Sequence, residues 1–311
     1  MITKSSYRGI TWVDMESPSK SDVTKVRKEF DVHSMVAEEV LSPSVRPKVD
    51  TYSSHVYLVL HFPVYSYGKP GFDDDSTRPT REIDFILGKD FLITVHYEPI
   101  NEFLDFTKLF EASELIDHGR NADIDAGFIF YHILRGLYRG IENDLDSVNH
   151  NLHDIEAHIF QGDERRMVER ISNVNRSLLD FRWALKNHED ILNSLESDAG
   201  DFFSESFSSH LRALYNEYYK IWNVIESNKE IVNDLRITND SLLSTKTTEV
   251  MKVLTILAFV TFPLSLVASL FGMNTMYTPL VGQRYGFWII IALMAGATGC
   301  MFLYFKHKKW L

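Results

Sequence analysis

Two long stretches without a charged residue stand close together near the end of this chain, Val253 to Phe271 and Tyr285 to Phe305. They run to 19 and 21 residues. As helices rising about 1.5 Å per residue, each reaches about 30 Å, the thickness of a bilayer core. One such run alone could be the buried helix of a soluble protein. Two in tandem, with aromatic residues at their ends, read as a pair of transmembrane spans. Lys246 and Lys252 precede the first, and Lys306, His307, Lys308 and Lys309 follow the second, while the segment between carries only Arg284. The positive-inside rule then puts both termini in the cytoplasm and the connecting loop outside. The N-terminal MITKSSYRGITWVDMESPSK has no apolar core of its own, so no cleaved signal is expected.

The segment leading into the first span is the next constraint. Between Gly200 and Pro263 there is neither glycine nor proline. Apolar residues recur at Phe207, Leu211, Leu214, Tyr218, Trp222 and Ile225, then Val232, Leu235 and Leu242, with Asn228 and Asn239 at positions where the seam should be apolar. Spacing of three and four is the mark of a helix packed on other helices, and an asparagine in such a seam sets register at some cost in stability. The expectation is one helix of about 90 to 100 Å that enters the membrane directly. A helix so long needs neighbours to persist, and copies of itself around an axis are the economical choice.

Upstream, the pattern is mixed. Ile10–Val13, Val56–Val64, Glu82–Leu87 and Phe91–Tyr97 read as strands, the last two joined at Gly88-Lys89-Asp90. Ser19–Phe30 and Ser34–Leu41 read as short helices, and Gly68 to Pro79, with Asp73, Asp74 and Asp75, as a polar loop. From about Asp123 the chain turns helical, breaks at Gly162, and resumes behind an Asp163 cap to Ala199, which predicts an antiparallel hairpin. The organisation expected is an α+β cytoplasmic domain (1–122), a helical hairpin (123–199) and a stalk helix (200–271) whose end is the first span (253–271). An external loop (272–284), the second transmembrane helix (285–305) and a basic cytoplasmic tail (306–311) complete it.

At 100° per residue, Met251, Thr255, Ala258, Phe262, Ser265 and Ser269 share one face of the first span, opposite a face of large aliphatic residues. Small and hydroxyl residues are also what joins membrane helices to one another. Around an axis, the same stripe would offer hydroxyl rings at Ser265 and Ser269 and apolar constrictions at Met251 and Phe262 that gate by dewetting. It carries no charge, which argues against a proton-relay pump. Gly272-Met273-Asn274 follows directly. Alone it is a helix cap and turn. At the outer mouth of a pore, the Asn274 amide oxygen and the last helix carbonyls would accept hydrogens from the water shell of a hydrated cation.

Other chemistries find little support. Net charge is −11, which disfavours nucleic acid as a partner. The single cysteine, Cys300, permits no disulfide framework within the chain. No phosphate-cradling G-x-x-x-x-G-K-[ST] motif and no Ser/His/Asp grouping stands out, so neither an enzyme nor an organic cofactor is expected. Influx would not need ATP, since two charges crossing 100 mV gain about 5 kcal/mol. His150, His153 and His158 lack the common helical face a metal site requires.

The corner Gly272-Met273-Asn274, the lead-in Thr248-Glu249-Val250-Met251-Lys252-Val253-Leu254-Thr255 and the tail Tyr304 to Leu311 together resemble the CorA family of divalent-cation transporters. The resemblance implies a funnel-shaped homopentamer in the cell (inner) membrane, with Gly272, Met273 and Asn274 at the ion entrance. It also implies Met251, Leu254, Thr255, Phe262, Ser265 and Ser269 along the pore, and passage of Mg²⁺ and of Co²⁺ or Ni²⁺. Closure by internal Mg²⁺ at acidic sites between subunits is a further implication. The aligned stalk position of the family's regulatory aspartate is Ile237 here, which leaves Asp234 and Asp240 as candidates. The external loop, Thr278-Pro279-Leu280-Val281 included, has no acid. That is also seen in the proton-coupled zinc branch, ZntB, which stands as the alternative within the family. A two-span sensor or scaffold is the alternative outside it.

Overall fold

The computed structural model describes residues 2–44, 46–65, 80–100, 103, 106, 125–198, 203, 205–273, 284–308 and 310. The expected polar loop at 68–79 and residues 274–283 lie outside these. The chain divides into two compact units, Met1–Arg236 and Ile237–Leu311.

The first unit is built on a six-stranded sheet of β1 (Ile2–Tyr7), β2 (Ile10–Glu16), β3 (Lys48–Thr51), β4 (His55–Pro63), β5 (Thr80–Gly88) and β6 (Phe91–His96). Their order is β1-β2-β6-β5-β4-β3, and only the β2–β6 pair is parallel. All nine residues of β4 are buried, which explains why its sequence, HVYLVLHFP, does not alternate. One face carries Val13, Tyr57, Val59, Ile86, Ile93 and Val95 and packs on two short helices, α1 (Lys20–Phe30) and α2 (Ser34–Glu39), through Val23, Val26 and Val36. Helix α1 starts where Ser19 predicts. The Ser19 hydroxyl accepts from the Asp22 N–H at 3.3 Å; the Asp22 carboxylate in turn accepts from the Ser19 hydroxyl at 2.7 Å and from the Ser19 N–H at 3.1 Å, and these two bonds hold its pKa below the usual range.

The other face is covered by α3 (Ala126–Gln161), α4 (Glu164–Leu185) and α5 (His188–Asp198). Phe85 meets Phe130 edge-on at 5.2 Å, Phe62 meets His188 at 5.1 Å, and Tyr65 meets Phe181 at 5.9 Å. Asp125 caps α3, its Oδ1 accepting the Phe128 N–H at 3.0 Å, and Gly162 ends it at φ 101°. Asp163 stands at the start of α4 as expected, but its side chain makes no capping bond; its backbone carbonyl accepts from Arg166 instead.

The helix expected to run unbroken to Ala199 is in fact two, divided at Lys186–Asn187. Behind the break lies His188, fully buried. Its Nε2–H donates to the His61 carbonyl of β4 at 2.8 Å, which leaves Nδ1 as acceptor for the Tyr138 hydroxyl of α3 at 3.0 Å. Burial, with both nitrogens committed, pushes its pKa down to about 4. One neutral imidazole thus ties β4, α3 and α5 together.

Two further helices are α6 (Glu205–Phe271) and α7 (Gly286–His307). Within the first unit α6 buries Phe207, Leu211, Leu214, Tyr218, Ile221, Ile225, Asn228, Val232 and Leu235, a strict three-four repeat. Two details depart from expectation. Ile221 rather than Trp222 occupies the seam, Trp222 lying half-buried under the Arg182 guanidinium at 6.0 Å. The seam also packs on the chain's own helices rather than waiting for other copies. Phe207 fills the space beside Gly127, the Tyr215 hydroxyl donates to Glu189 at 3.0 Å, and Arg182 pairs with Glu226 at 3.1 Å. The spacing required a helical partner and could not say whose.

Candidate functional site: the first span and its outer corner

Helix α6 runs through Pro263 without interruption to Phe271. Within the span its less exposed residues are Thr255, Ile256, Ala258, Val260, Pro263, Leu264, Val267 and Phe271, most of the aliphatic face of the sequence reading together with Thr255 and Ala258 of the opposite stripe. The matching stripe on α7 is Ile290, Met294, Ala297, Thr298, Met301 and Phe305. Met251, Leu254, Phe262, Ser265 and Ser269 are left exposed, Phe262 the most, at 75%. Thr255 is half-buried, and its hydroxyl donates to the Met251 carbonyl at 2.7 Å. The lone pairs of that oxygen remain available to a hydrated ion.

Further hydroxyls stand on α6 ahead of the span. Ser241, Thr245 and Thr248 are exposed there, and Thr245 and Thr248 each donate to the carbonyl four residues back at 2.9 Å. Their spacing of four and three, continued by Thr255, was the signal that could have marked them.

At the outer end, the Gly272 N–H still reaches the Ala268 carbonyl at 3.0 Å and Met273 turns back to Leu270 at 3.4 Å. A Cβ on Gly272 would lie 3.1 Å from the Ala268 oxygen, so a side chain here crowds the last helix carbonyl, one of the groups an entering ion would use. Asn274 lies outside the described residues. Asp234 and Asp240 are both exposed on α6. Six residues apart at 100° each, they stand on different sides of the helix and do not make one site. Among the described residues no group of three His, Cys, Asp or Glu side chains is placed to hold a metal ion.

A soluble α/β body, a 67-residue helix running into a hydrophobic span and a second apolar helix define a class: an integral membrane protein with two C-terminal spans. The class can be narrowed. Residues 7–307 match the family described as CorA-like Mg²⁺ transporter protein, and the chain belongs to it. The cobalt/magnesium transport protein CorA of Thermotoga maritima is 27% identical over 97% of this chain and 83% of its own length. Among solved structures, the CorA magnesium transporter from Methanocaldococcus jannaschii aligns over 100% of this chain and 98% of its own, with a TM-score of 0.84 at 19% identity. The ZntB cytoplasmic domain from Vibrio parahaemolyticus aligns more loosely, with a TM-score of 0.54 at 14% identity over 77% of this chain and 90% of its own. At those identities both likenesses speak to fold alone. The chain is a CorA-type divalent-cation transporter.

Proposed function

We propose that this chain is one subunit of a homopentameric Mg²⁺ influx channel of the inner membrane, both termini cytoplasmic, driven by the membrane potential. The observation that carries this is the uncharged stripe Met251–Ser269, whose Met251, Phe262, Ser265 and Ser269 are exposed within the chain, running up to Gly272-Met273-Asn274 in the sequence. With five copies around an axis, Asn274 and the last α6 carbonyls would receive the hydrated ion. Ser269, Ser265 and Thr255 would then pass it on by water-mediated hydrogen bonds, with Phe262, Leu254 and Met251 as the apolar constrictions. Thr248, on the turn before Met251, would extend that hydrated path ahead of the membrane. Neutral oxygens suit Mg²⁺, Co²⁺ and Ni²⁺ alike, since each arrives inside its water shell.

Internal Mg²⁺ as a closing signal would draw on carboxylates from different subunits, because among the described residues of one chain Asp234 and Asp240 find no third ligand. The acid-free external loop keeps proton-coupled zinc transport as the second reading. The deciding experiment is ion flux into proteoliposomes at inside-negative potential, Mg²⁺ against Zn²⁺, with and without a pH gradient. Channel function predicts Mg²⁺ entry independent of the gradient and severe loss in Asn274→Ala. Gradient-dependent Zn²⁺ uptake with no Mg²⁺ flux would reject it, and a fully active Asn274→Ala would remove the asparagine rim.

A further inference from the structure

The first unit carries a cleft of about 480 Å³ between the end of α1, the start of α2 and the β3–β4 turn. In a chain of net charge −11 its lining is unexpectedly basic. Arg27 and Lys28 project from the last turn of α1, both exposed, and among the described residues neither pairs with a carboxylate. The helix dipole alone favours cations at that position. It does not account for what stands opposite them.

His33 lines the same cleft, and its Nδ1 accepts the Met35 N–H at 3.3 Å. In the neutral ring the proton is therefore on Nε2, a donor. The ring stacks on Tyr52 at 4.6 Å, and Tyr52 in turn on His55 at 5.0 Å, which fixes the orientation of all three. His55 is fully buried; Ser54 Oγ lies 2.9 Å from its Nδ1, and its Nε2 has no hydrogen-bond partner. Ser54 Oγ donates to the Asp31 carbonyl at 3.3 Å, so the His55 proton sits on Nδ1 and Nε2 is a bare acceptor; His55 takes no anion itself and serves to orient Tyr52 and His33. The hydroxyls of Ser34 and Ser53 add donors, and Asp31 is the one opposing charge on the wall.

We propose that this cleft binds a phosphoryl anion, free phosphate or the phosphate end of a nucleotide, held by Arg27, Lys28 and the His33 Nε2–H with serine hydroxyls alongside. Charge-assisted contacts to tetrahedral oxygens are what this mixture of donors serves best. The site does not depend on the transport reading and would hold even if no ion crossed the membrane.

The test is calorimetric titration of the full-length protein in detergent with inorganic phosphate and, separately, with ATP in the absence of divalent ions. Saturable binding is expected, weakened at least about tenfold in Arg27→Gln/Lys28→Gln. Arg165→Gln/Arg166→Gln, the same charge change on the exposed side of α4, should leave it unaltered. Asp31→Asn should tighten it, and because Asp31 sits at φ 52°, a conformation asparagine tolerates, that variant should fold normally. Saturation by phosphate identifies a bare phosphoryl site, and saturation by ATP alone a nucleotide or polyphosphate site. No saturable binding of either probe, or equal weakening by the two double variants, overturns the proposal.

Discussion

The buried imidazole of His188 makes a quantitative prediction about acid stability. Its folded pKa of about 4 lies below the ordinary histidine value of 6.5. A depressed histidine contributes its full stabilisation above pH 6.5 and loses it progressively as pH falls towards 4, because the unfolded chain takes up a proton that the folded chain refuses. At about 1.36 kcal/mol per pKa unit the whole effect is on the order of 3 kcal/mol, carried by a residue that water does not reach. In His188→Gln the amide nitrogen can still donate to the His61 carbonyl, but the Tyr138 hydroxyl loses its acceptor. The variant should therefore be less stable by about 1 to 2 kcal/mol at pH 7.5. It should also lose stability more slowly between pH 6.5 and 4, so the two curves converge and meet in mild acid. The assay is urea unfolding of the detergent-solubilised chain, followed by tryptophan fluorescence at half-unit pH steps. Taking wild type minus variant cancels the carboxylates that titrate in both. Parallel curves across that window would show that the ring is not held neutral, and the tautomer assignment would fall with it.

Three further outcomes follow from particular contacts. Gly127→Ala puts a methyl 2.2 Å from the Phe207 ring and should destabilise the soluble unit by about 1 to 3 kcal/mol, a loss that Phe207→Leu partly restores in thermal unfolding. Asn228 is buried with its Nδ2 unpartnered, so Asn228→Leu should raise the unfolding temperature. If it lowers it, that amide has a partner in the functional protein. Phe262→Ala removes the most exposed apolar ring of the stripe and should raise resting Mg²⁺ leak into proteoliposomes; unchanged leak would place the constriction elsewhere.

What could be read from the sequence was whatever a single helix or strand announces by itself. The spans declared themselves through length without charge, α1 through Ser19 and Asp22, and the long helix through the missing glycines and prolines. Strand β1 was not seen because ITKSSY reads as polar surface, and its pairing with β2 depends on a two-residue turn at Arg8-Gly9, both at positive φ. Strand β3 was missed because four residues are too few for a pattern to emerge. The break at Lys186 has no glycine or proline to mark it; the nearby reason, His188, becomes visible only once β4 and α3 are beside it. At the candidate site, the residues sharing one face of the first span were legible from their 100° spacing, and their place along a pore is what the proposed function adds. The hydroxyls ahead of the membrane were overlooked because the search for them stopped where the apolar run began.

The margins of the sheet have a consequence of their own. An unpaired strand at a sheet's border invites a neighbour's backbone to dock and extend it. Here one border is the four-residue β3, where Lys48 is engaged by Glu39 and Asp50 at 2.6 and 2.7 Å. The other is β1, whose Lys4 pairs with Glu29. Strand-to-strand fusion is thereby discouraged on both flanks of the sheet.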